Sequence, residues 1–163
     1  MKIKEITLFA MLTAILFLGQ TVLAPIPNVE VVSLLIIVYA VVFKWKSLII
    51  IYVFVILQGV TYGFGIWWLS YLYIWAILAA LSIALAPIFR DRSLLWALFA
   101  GLYGLIFGTL TSIPYLFMGR IGFAAAYIIS GIPYDLIHAG GNFAVTLLLF
   151  YIVKKTLLRV IPK

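Results

Sequence analysis

The sequence predicts an all-α integral membrane protein, a six-transmembrane-helix bundle with its N and C termini in the cytoplasm. The first observation is composition: of 163 residues, 67% are hydrophobic and only 9% are charged, whereas soluble domains carry about 25% charged residues. The second is that long apolar runs alternate with short connections, which leaves no room for an appended soluble domain. The third is the placement of the basic residues. The chain is therefore expected to form a single integral-membrane domain, residues 1–163.

The basic residues indicate the orientation. When the apolar runs are threaded through a bilayer, ten of the eleven Lys and Arg residues fall on one side and only Arg120 falls on the other. Cytoplasmic loops are enriched in Lys and Arg, so this side is expected to face the cytoplasm in a bacterial-type plasma membrane. The ten residues are Lys2, Lys4, Lys44, Lys46, Arg90, Arg92, Lys154, Lys155, Arg159 and Lys163.

Six apolar runs are expected to be the spans. Their predicted bounds are 6–23, 29–43, 47–63, 69–89, 93–117 and the second part of 123–153. The first run is longer than the roughly 7–15 apolar residues of a signal peptide, and Pro25 follows Ala24 where cleavage would occur, so this run is expected to be retained. Residues 63–68 are expected to form an outer loop, and residues 131–133, which end in a proline, are expected to break the last run.

Composition also excludes several classes of function. The net charge of +7 is explained by orientation, because the basic residues occur as pairs at span ends rather than as a stripe that would bind nucleic acid. The lack of cysteine excludes disulfides, thiolate metal sites and cysteine nucleophiles. A single histidine makes a metal site a weak hypothesis, and no glycine-rich phosphate loop is present. Neither a metal nor a cofactor is therefore expected.

The strongest polar constellation follows Pro133. Asp135, His138 and Asn142 stand at i, i+3 and i+7, which is one face of a helix. A charged residue at bilayer depth costs about 2.5–3.5 kcal/mol, so such a face usually lines the bundle interior or a wet cavity. These residues are candidates for the wall of a binding site. The alternative is a buried hydrogen-bond cluster, in which Asp135 accepts from free backbone N–H groups and Asn142 joins two helices.

Further candidates lie at the predicted extracellular side. Glu30 is expected to reach the same pocket as Asp135, with Asn28 beside it; the alternative is a solvated loop in which Asn28 caps the next helix. Five aromatic residues are expected on this side. An aromatic belt at the membrane interface explains most of them, yet stacking walls for a flat ligand would need the same residues. They are Trp67, Trp68, Tyr71, Tyr73 and Tyr115.

Two other patterns bear on function. Ser130, Asp135 and His138 are the residue types of a nucleophilic relay, but they surround one predicted bend, whereas a relay needs groups that converge from separate elements. No enzyme is therefore expected. Ala10 and Ala14 lie four residues apart on one helix face, where small side chains permit the close approach of another helix.

Taken together, these features resemble a known family. The segments that carry the resemblance are Ala10-Met11-Leu12-Thr13-Ala14 in the first span, Pro27-Asn28-Val29-Glu30 at the start of the second, and Ile132-Pro133-Tyr134-Asp135-Leu136-Ile137-His138 at the start of the sixth. With six short spans and cytoplasmic ends, the chain resembles a substrate-binding S component of an energy-coupling factor transporter, the ABC-type system of vitamin uptake.

The resemblance implies a function and a set of partners. An S component captures a vitamin at its extracellular face and binds no ATP itself. Its first-helix small-residue motif packs against a transmembrane coupling subunit, a role that falls here on Ala10 and Ala14, and two cytoplasmic ATPase subunits supply the energy. The ligand would be enclosed by the outer loops and outer helix ends.

The expected ligand is pyridoxine or a hydroxymethylpyrimidine-like ring, which would stack on aromatic side chains and hydrogen-bond with Glu30, Asp135, His138 and Asn142. An anionic vitamin would need a basic residue, and only Arg120 is expected outside. Cobalamin is an alternative ligand. A proton-coupled secondary carrier that uses Asp135 and His138 is an alternative function, and an intramembrane enzyme is a third.

Overall fold

The computed structural model describes residues 3–26 and 28–161, and these residues form helices and short turns with no strand. Lys2, Pro27 and Lys163, which enter the orientation and motif arguments, lie outside the described residues. The helices are α1 (Ile3–Leu23), α2 (Val32–Phe43), α3 (Ser47–Tyr62), α4 (Ile66–Phe89), α5 (Ser93–Leu105), α6 (Phe107–Phe117) and α7 (Ile121–Val160), with a 3-10 turn (Lys44–Lys46) between α2 and α3.

Among residues 3–26 and 28–161, five helical segments are long and apolar enough to cross a membrane. The predicted all-helical class is confirmed, and the length and composition of these segments are typical of a membrane-embedded protein. The segments are α1, α2 together with α3, α4, α5 together with α6, and α7.

Helix α2 is the core of the bundle. It runs antiparallel to α1, since Val31, just before α2, lies against Gly19 near the end of α1, whereas Tyr39 reaches the Leu12 carbonyl further back along it. Residues 32–40 are buried without interruption. A helix that is apolar on every face belongs in a protein interior, so neighbouring helices cover this short segment on all sides.

The chain reverses direction between α2 and α3. Lys44 adopts a positive φ of 52° and ends α2. At the start of α3 the Lys46 ammonium lies 2.7 Å from Glu5 in α1, and at its end the Tyr62 hydroxyl lies 3.3 Å from that of Thr21. Helix α3 is therefore parallel to α1 and antiparallel to α2.

The second half of the chain forms a long antiparallel pair in which α5 and α6 pack along α7. The rings of Trp96 and Phe150 stack with centroids 5.3 Å apart. Closer to the turn between α6 and α7, a Cβ added at Gly104 would lie 3.0 Å from the backbone of His138 and Ala139. Glycine is required there because the two backbones approach so closely.

The directions of the helices place most of the described basic residues at one end of the bundle. This basic end carries the N-terminus of α1, the α2–α3 and α4–α5 turns and the C-terminal part of α7, where Lys154 pairs with Asp91. The opposite end, called here the cavity end, carries the α1–α2 connection and Arg120. The described residues at the basic end are Lys4, Lys44, Lys46, Arg90, Arg92, Lys154, Lys155 and Arg159.

Two predicted boundaries are wrong. Residues 131–133 do not break the last helix, because α7 is continuous over 40 residues and contains Pro133. The proline is exposed, and α7 contacts α6 on both sides of it, at Tyr127 and at Asp135, so packing holds the helix through it. In addition, α4 begins at Ile66, which places Trp67 and Trp68 in its first turn rather than in a loop.

Replacing Gly104 with Leu should destabilise the fold. The added side chain would overlap the α7 backbone, and overpacking of this kind costs about 1–3 kcal/mol. Thermal unfolding of the detergent-purified protein measures the effect. Gly140→Leu is the matched control, because a Cβ at Gly140 meets no atom within 4 Å; equal unfolding temperatures for the two variants would contradict the close packing.

Candidate functional site

Two adjoining cavities open at the cavity end. The Glu30 cavity has a volume of about 190 Å³ and is lined by Glu30 and His138 among others. The Asp135 cavity has a volume of about 550 Å³ and is lined by Asp135 and Trp67 among others. Asn28, Tyr71 and Phe107 line both cavities. The structure thus distributes six of the nine predicted site residues between two neighbouring cavities rather than one pocket; the six are Asn28, Glu30, Trp67, Tyr71, Asp135 and His138.

Glu30 is held by the first turn of α2. Its carboxylate accepts hydrogen bonds from the backbone N–H of Ser33, at 2.9 Å for Oε2 and 3.2 Å for Oε1, and from the Ser33 hydroxyl. The first N–H groups of a helix have no intrahelical acceptor, so Glu30 satisfies one of them. Asn28, proposed from the sequence as an alternative cap, instead adopts a positive φ of 58° and lines the cavities.

Glu30 also contacts α7. Its Oε1 lies 3.2 Å from Nε2 of His138, a residue 108 positions further along the chain. Burial alone raises the pKa of Glu30, but the hydrogen bond and charge interaction with His138 and the hydrogen bonds from Ser33 lower it below its ordinary value of 4.5. Glu30 therefore carries a negative charge at neutral pH.

Asp135, His138 and Asn142 are all buried on one side of α7, which confirms that they share a helix face. Asn142 donates to the Ser33 hydroxyl at 3.2 Å and lines neither cavity. His138, Glu30, Ser33 and Asn142 consequently form a continuous polar network between α7 and the start of α2. Asn142 supports this network from below the cavities.

Asp135 caps a different helix. Its Oδ1 accepts the backbone N–H of Gly108 at 3.1 Å, just after the interruption at Ile106 that separates α5 from α6. A Cβ at Gly108 would lie 2.5 Å from the Asp135 carboxylate, so any larger residue at this position would displace that carboxylate. The sequence left open the alternative that Asp135 accepts a hydrogen bond from a free N–H group of a helix. The structure contains such a bond, and the helix is α6 rather than α7.

Aromatic side chains connect the two cavities. Trp67, Tyr71 and Trp75 follow each other by one helical turn along α4, with edge-to-face contacts at centroid distances of 5.2 Å and 5.3 Å. Trp75 continues to Phe107 at 5.5 Å, and Phe107 continues to the His138 ring at 4.9 Å. This aromatic row therefore contributes to the lining of the two cavities that contain Glu30 and Asp135.

Two predicted aromatic residues lie away from the cavity linings. Trp68 donates its indole N–H to the Val55 carbonyl at 2.8 Å and joins α4 to α3. Tyr115 packs against Phe123 and Tyr127 in the α6–α7 pair. Both side chains make protein contacts that account for their positions.

Sequence reasoning missed Trp75 and Phe107. The spacing of Trp67, Tyr71 and Trp75 at i, i+4 and i+8 was available in the sequence and indicates a single helix face. Phe107 gave no such signal, because its position depends on the interruption at Ile106 and on how α6 packs.

Some polar atoms at the Glu30 cavity have no hydrogen-bond partner among the described residues. These atoms are Oε1 of Gln20 and Nε1 of Trp75, and both residues line the cavity. The other end of the Gln20 amide donates to the Tyr71 hydroxyl at 2.9 Å. Within residues 3–26 and 28–161, no group of three or more His, Cys, Asp or Glu side chains is placed to hold a metal ion.

Comparison of the chain with protein-family models, with curated protein sequences and with solved structures gave no match.

Replacing Asp135 with Leu should destabilise the protein more than replacing it with Asn. Leucine leaves the Gly108 N–H without its acceptor, at a cost of about 1–3 kcal/mol, whereas asparagine keeps an acceptor oxygen. Thermal unfolding of both variants measures the difference. Equal unfolding temperatures would show that the cap of α6 contributes little.

Acidic pH should remove the stabilisation that Glu30 provides. Because its pKa is lower in the folded than in the unfolded protein, the contribution is complete above about pH 4.5 and declines as the pH falls further. The difference in unfolding temperature between the wild type and Glu30→Gln should therefore shrink in this range. Asp91→Asn, which removes the same charge at the basic end, is the control; a pH-independent difference for Glu30→Gln would contradict the assignment.

Proposed function

We propose that this chain is the substrate-binding membrane subunit of an energy-coupling factor transporter and captures a small heteroaromatic vitamin for ATP-driven uptake. The observation that carries the proposal is the pair of adjoining cavities at the cavity end, where two carboxylates stand beside a row of aromatic rings. Such cavities, with mostly apolar walls and a few convergent polar groups, are typical of small-molecule sites.

The proposed topology has six crossings. Helices α2 and α3 are taken as separate crossings because the chain reverses at the Lys44–Lys46 turn, and α5 with α6 is taken as one. The basic end then faces the cytoplasm of a bacterial-type cell, in accordance with the excess of Lys and Arg in cytoplasmic loops. The cavity end faces outward, where a vitamin would be captured.

Pyridoxine or a hydroxymethylpyrimidine is the proposed ligand. Its ring would lie against Tyr71 or Trp75, and its hydroxyl groups would bond with Glu30, Asp135 or Asn28. Each side chain lines at least one cavity, and aromatic stacking adds binding energy beyond area burial alone. Cobalamin, which is much larger than either cavity, is the alternative vitamin and would have to extend beyond them.

The proposed partners are a transmembrane coupling subunit and two cytoplasmic ATPase subunits. Ala10 and Ala14 are exposed on α1, so their small side chains are accessible to a helix of the coupling subunit. The same helix borders an apolar groove of about 590 Å³ towards the basic end, lined by Met11, Ile15 and Leu157 among others. This exposed small-residue face supports a helix–helix contact at α1.

A proton-coupled carrier is the second candidate, and the buried Glu30–His138 pair favours it. Such a carrier would work without partner subunits and would follow the pH gradient. Catalysis is not proposed, since the Ser130 hydroxyl donates to the Tyr127 carbonyl and Nε2 of His138 faces Glu30.

Native mass spectrometry of the protein, purified gently from cells grown in vitamin-rich medium, tests the proposal. A retained mass of pyridoxine or hydroxymethylpyrimidine would support it, and a mass of cobalamin would keep the transporter class and change the ligand. An empty protein that also binds nothing from a vitamin panel would favour the proton-coupled carrier.

Replacing Ala10 or Ala14 with Trp should abolish uptake while vitamin binding is retained, because the added bulk blocks close helix approach. Uptake of radiolabelled vitamin in cells and binding to the purified subunit are measured in parallel. Ala84→Trp, the same change at an exposed position of α4, is the matched control and should leave uptake intact. Loss of binding in the Ala10 or Ala14 variant would mean that these residues pack within the subunit.

A further inference from the structure

The described side chains that line the two cavities include more acidic than basic groups. Glu30 and Asp135 contribute carboxylates, while no described residue that lines either cavity is Lys or Arg. Arg120 is exposed at the start of α7 and lines neither cavity. Nε2 of His138 lies 3.2 Å from Oε1 of Glu30, and the Glu30 carboxylate is negatively charged at neutral pH. The site therefore favours positive over negative ligands.

Glu30 retains acceptor capacity for a ligand. A carboxylate offers roughly four acceptor positions. Oε1 faces both Ser33 and His138, whereas Oε2 accepts only the Ser33 N–H among the described residues. The side chain is 15% exposed, so a ligand in the cavity can reach it.

Three aromatic side chains contribute to the lining of the same cavity. Tyr71, Trp75 and Phe107 line it together with Glu30. The face of an aromatic ring carries negative electrostatic potential, and cages of such rings bind alkylated ammonium groups and other cations. A carboxylate beside aromatic walls attracts a positive nitrogen more strongly than an uncharged group of the same shape.

An unpartnered indole N–H supplies a second, independent observation. Trp75 is only 2% exposed, lines the Glu30 cavity, and its Nε1 has no partner among the described residues. Buried polar groups are almost always hydrogen-bonded, and an acceptor on a molecule bound in the cavity would supply the partner that this donor lacks. The unpartnered Oε1 of Gln20 similarly indicates a ligand donor. A hydroxyl group provides both.

We propose that the Glu30 cavity selects an organic cation, with a positive ring nitrogen held between Glu30 and the aromatic walls and a hydroxyl group bonded to Trp75 and Gln20. This inference rests on the proposed function and narrows its substrate class. Pyridoxine fits as its zwitterion, which carries a protonated ring nitrogen. Permanently charged N-alkyl heterocycles fit better still.

A pair of isosteric probes tests the charge preference. The charged probe is an N-methylpyridinium that bears a hydroxymethyl group, and the uncharged probe is its carbon isostere, a methyl-substituted benzyl alcohol. Calorimetric titration of the full-length wild-type protein in detergent should show at least about tenfold tighter binding of the cation, equivalent to about 1.4 kcal/mol. Equal affinities would overturn the inference without any variant being needed.

Variants identify which side chains cause the preference for the cationic probe. Glu30→Gln should remove most of the cation's advantage and leave the uncharged probe unchanged, whereas Asp91→Asn at the basic end should alter neither affinity. Trp75→Phe keeps an aromatic side chain but removes the N–H, so it should weaken binding of the hydroxymethyl cation by a larger factor than binding of plain N-methylpyridinium. If Glu30→Gln weakens both probes equally in a variant that is still folded at the titration temperature, the carboxylate acts structurally and the inference fails.

The outcomes separate this inference from the proposed function. Retention of an uncharged vitamin, with no charge preference between the probes, would overturn the cation site and keep the vitamin-binding subunit. A clear cation preference together with uptake that requires no partner subunits would keep the cation site and overturn the transporter class. Failure of both probes and the whole vitamin panel to bind would overturn both proposals.

Discussion

The close contact between the α5–α6 segment and α7 is the constraint on which the geometry of the cavity end depends. Gly104 and Gly108 allow the backbones to approach until an added Cβ would overlap the opposite helix or the Asp135 carboxylate. That approach brings the His138 ring against Phe107 and places Asp135 on the Gly108 N–H. Any wider spacing would separate the groups that form the cavity walls, so Gly104 and Gly108 control the geometry of the cavities.

The burial of α2 imposes the second requirement. A helix enclosed by protein cannot satisfy its first N–H groups with water, and each unsatisfied buried group costs about 1–3 kcal/mol. Glu30 accepts the Ser33 N–H, and its own charge is stabilised by His138. Asn142 completes the network through the Ser33 hydroxyl. The polar groups at this depth therefore stabilise one another and position α2 against α7.

Much of this arrangement could be predicted from local sequence. Helical periodicity correctly placed Asp135, His138 and Asn142 on one face, because that pattern depends only on residues along the same helix. The pairing of His138 with Glu30 rather than with Asp135 was not predictable, since it depends on how two distant helices dock. The expected break at Pro133 was wrong because the rule for proline is local, whereas packing along α6 holds α7 together.

The cap on α6 illustrates a further limit of sequence reasoning. No proline or polar residue marks the interruption at Ile106. Gly108 by itself is compatible with a continuous helix. Only the folded structure shows that this interruption frees an N–H for Asp135. From the sequence, Asp135 could be recognised as a carboxylate that needs a hydrogen-bond partner. Whether that partner is a helix N–H or a ligand depends on where Gly108 lies in the folded protein.

The structural and binding roles of these carboxylates are compatible. Glu30 is fixed by Ser33 and His138 before any ligand arrives, and Asp135 is fixed by Gly108. Ordering a flexible charged side chain opposes binding, so groups that the fold already orients lose less conformational entropy when a ligand docks. The hydrogen bonds that satisfy the buried helix starts thus also preorganise the acceptors that face the cavities, which is what the proposed ligand site requires.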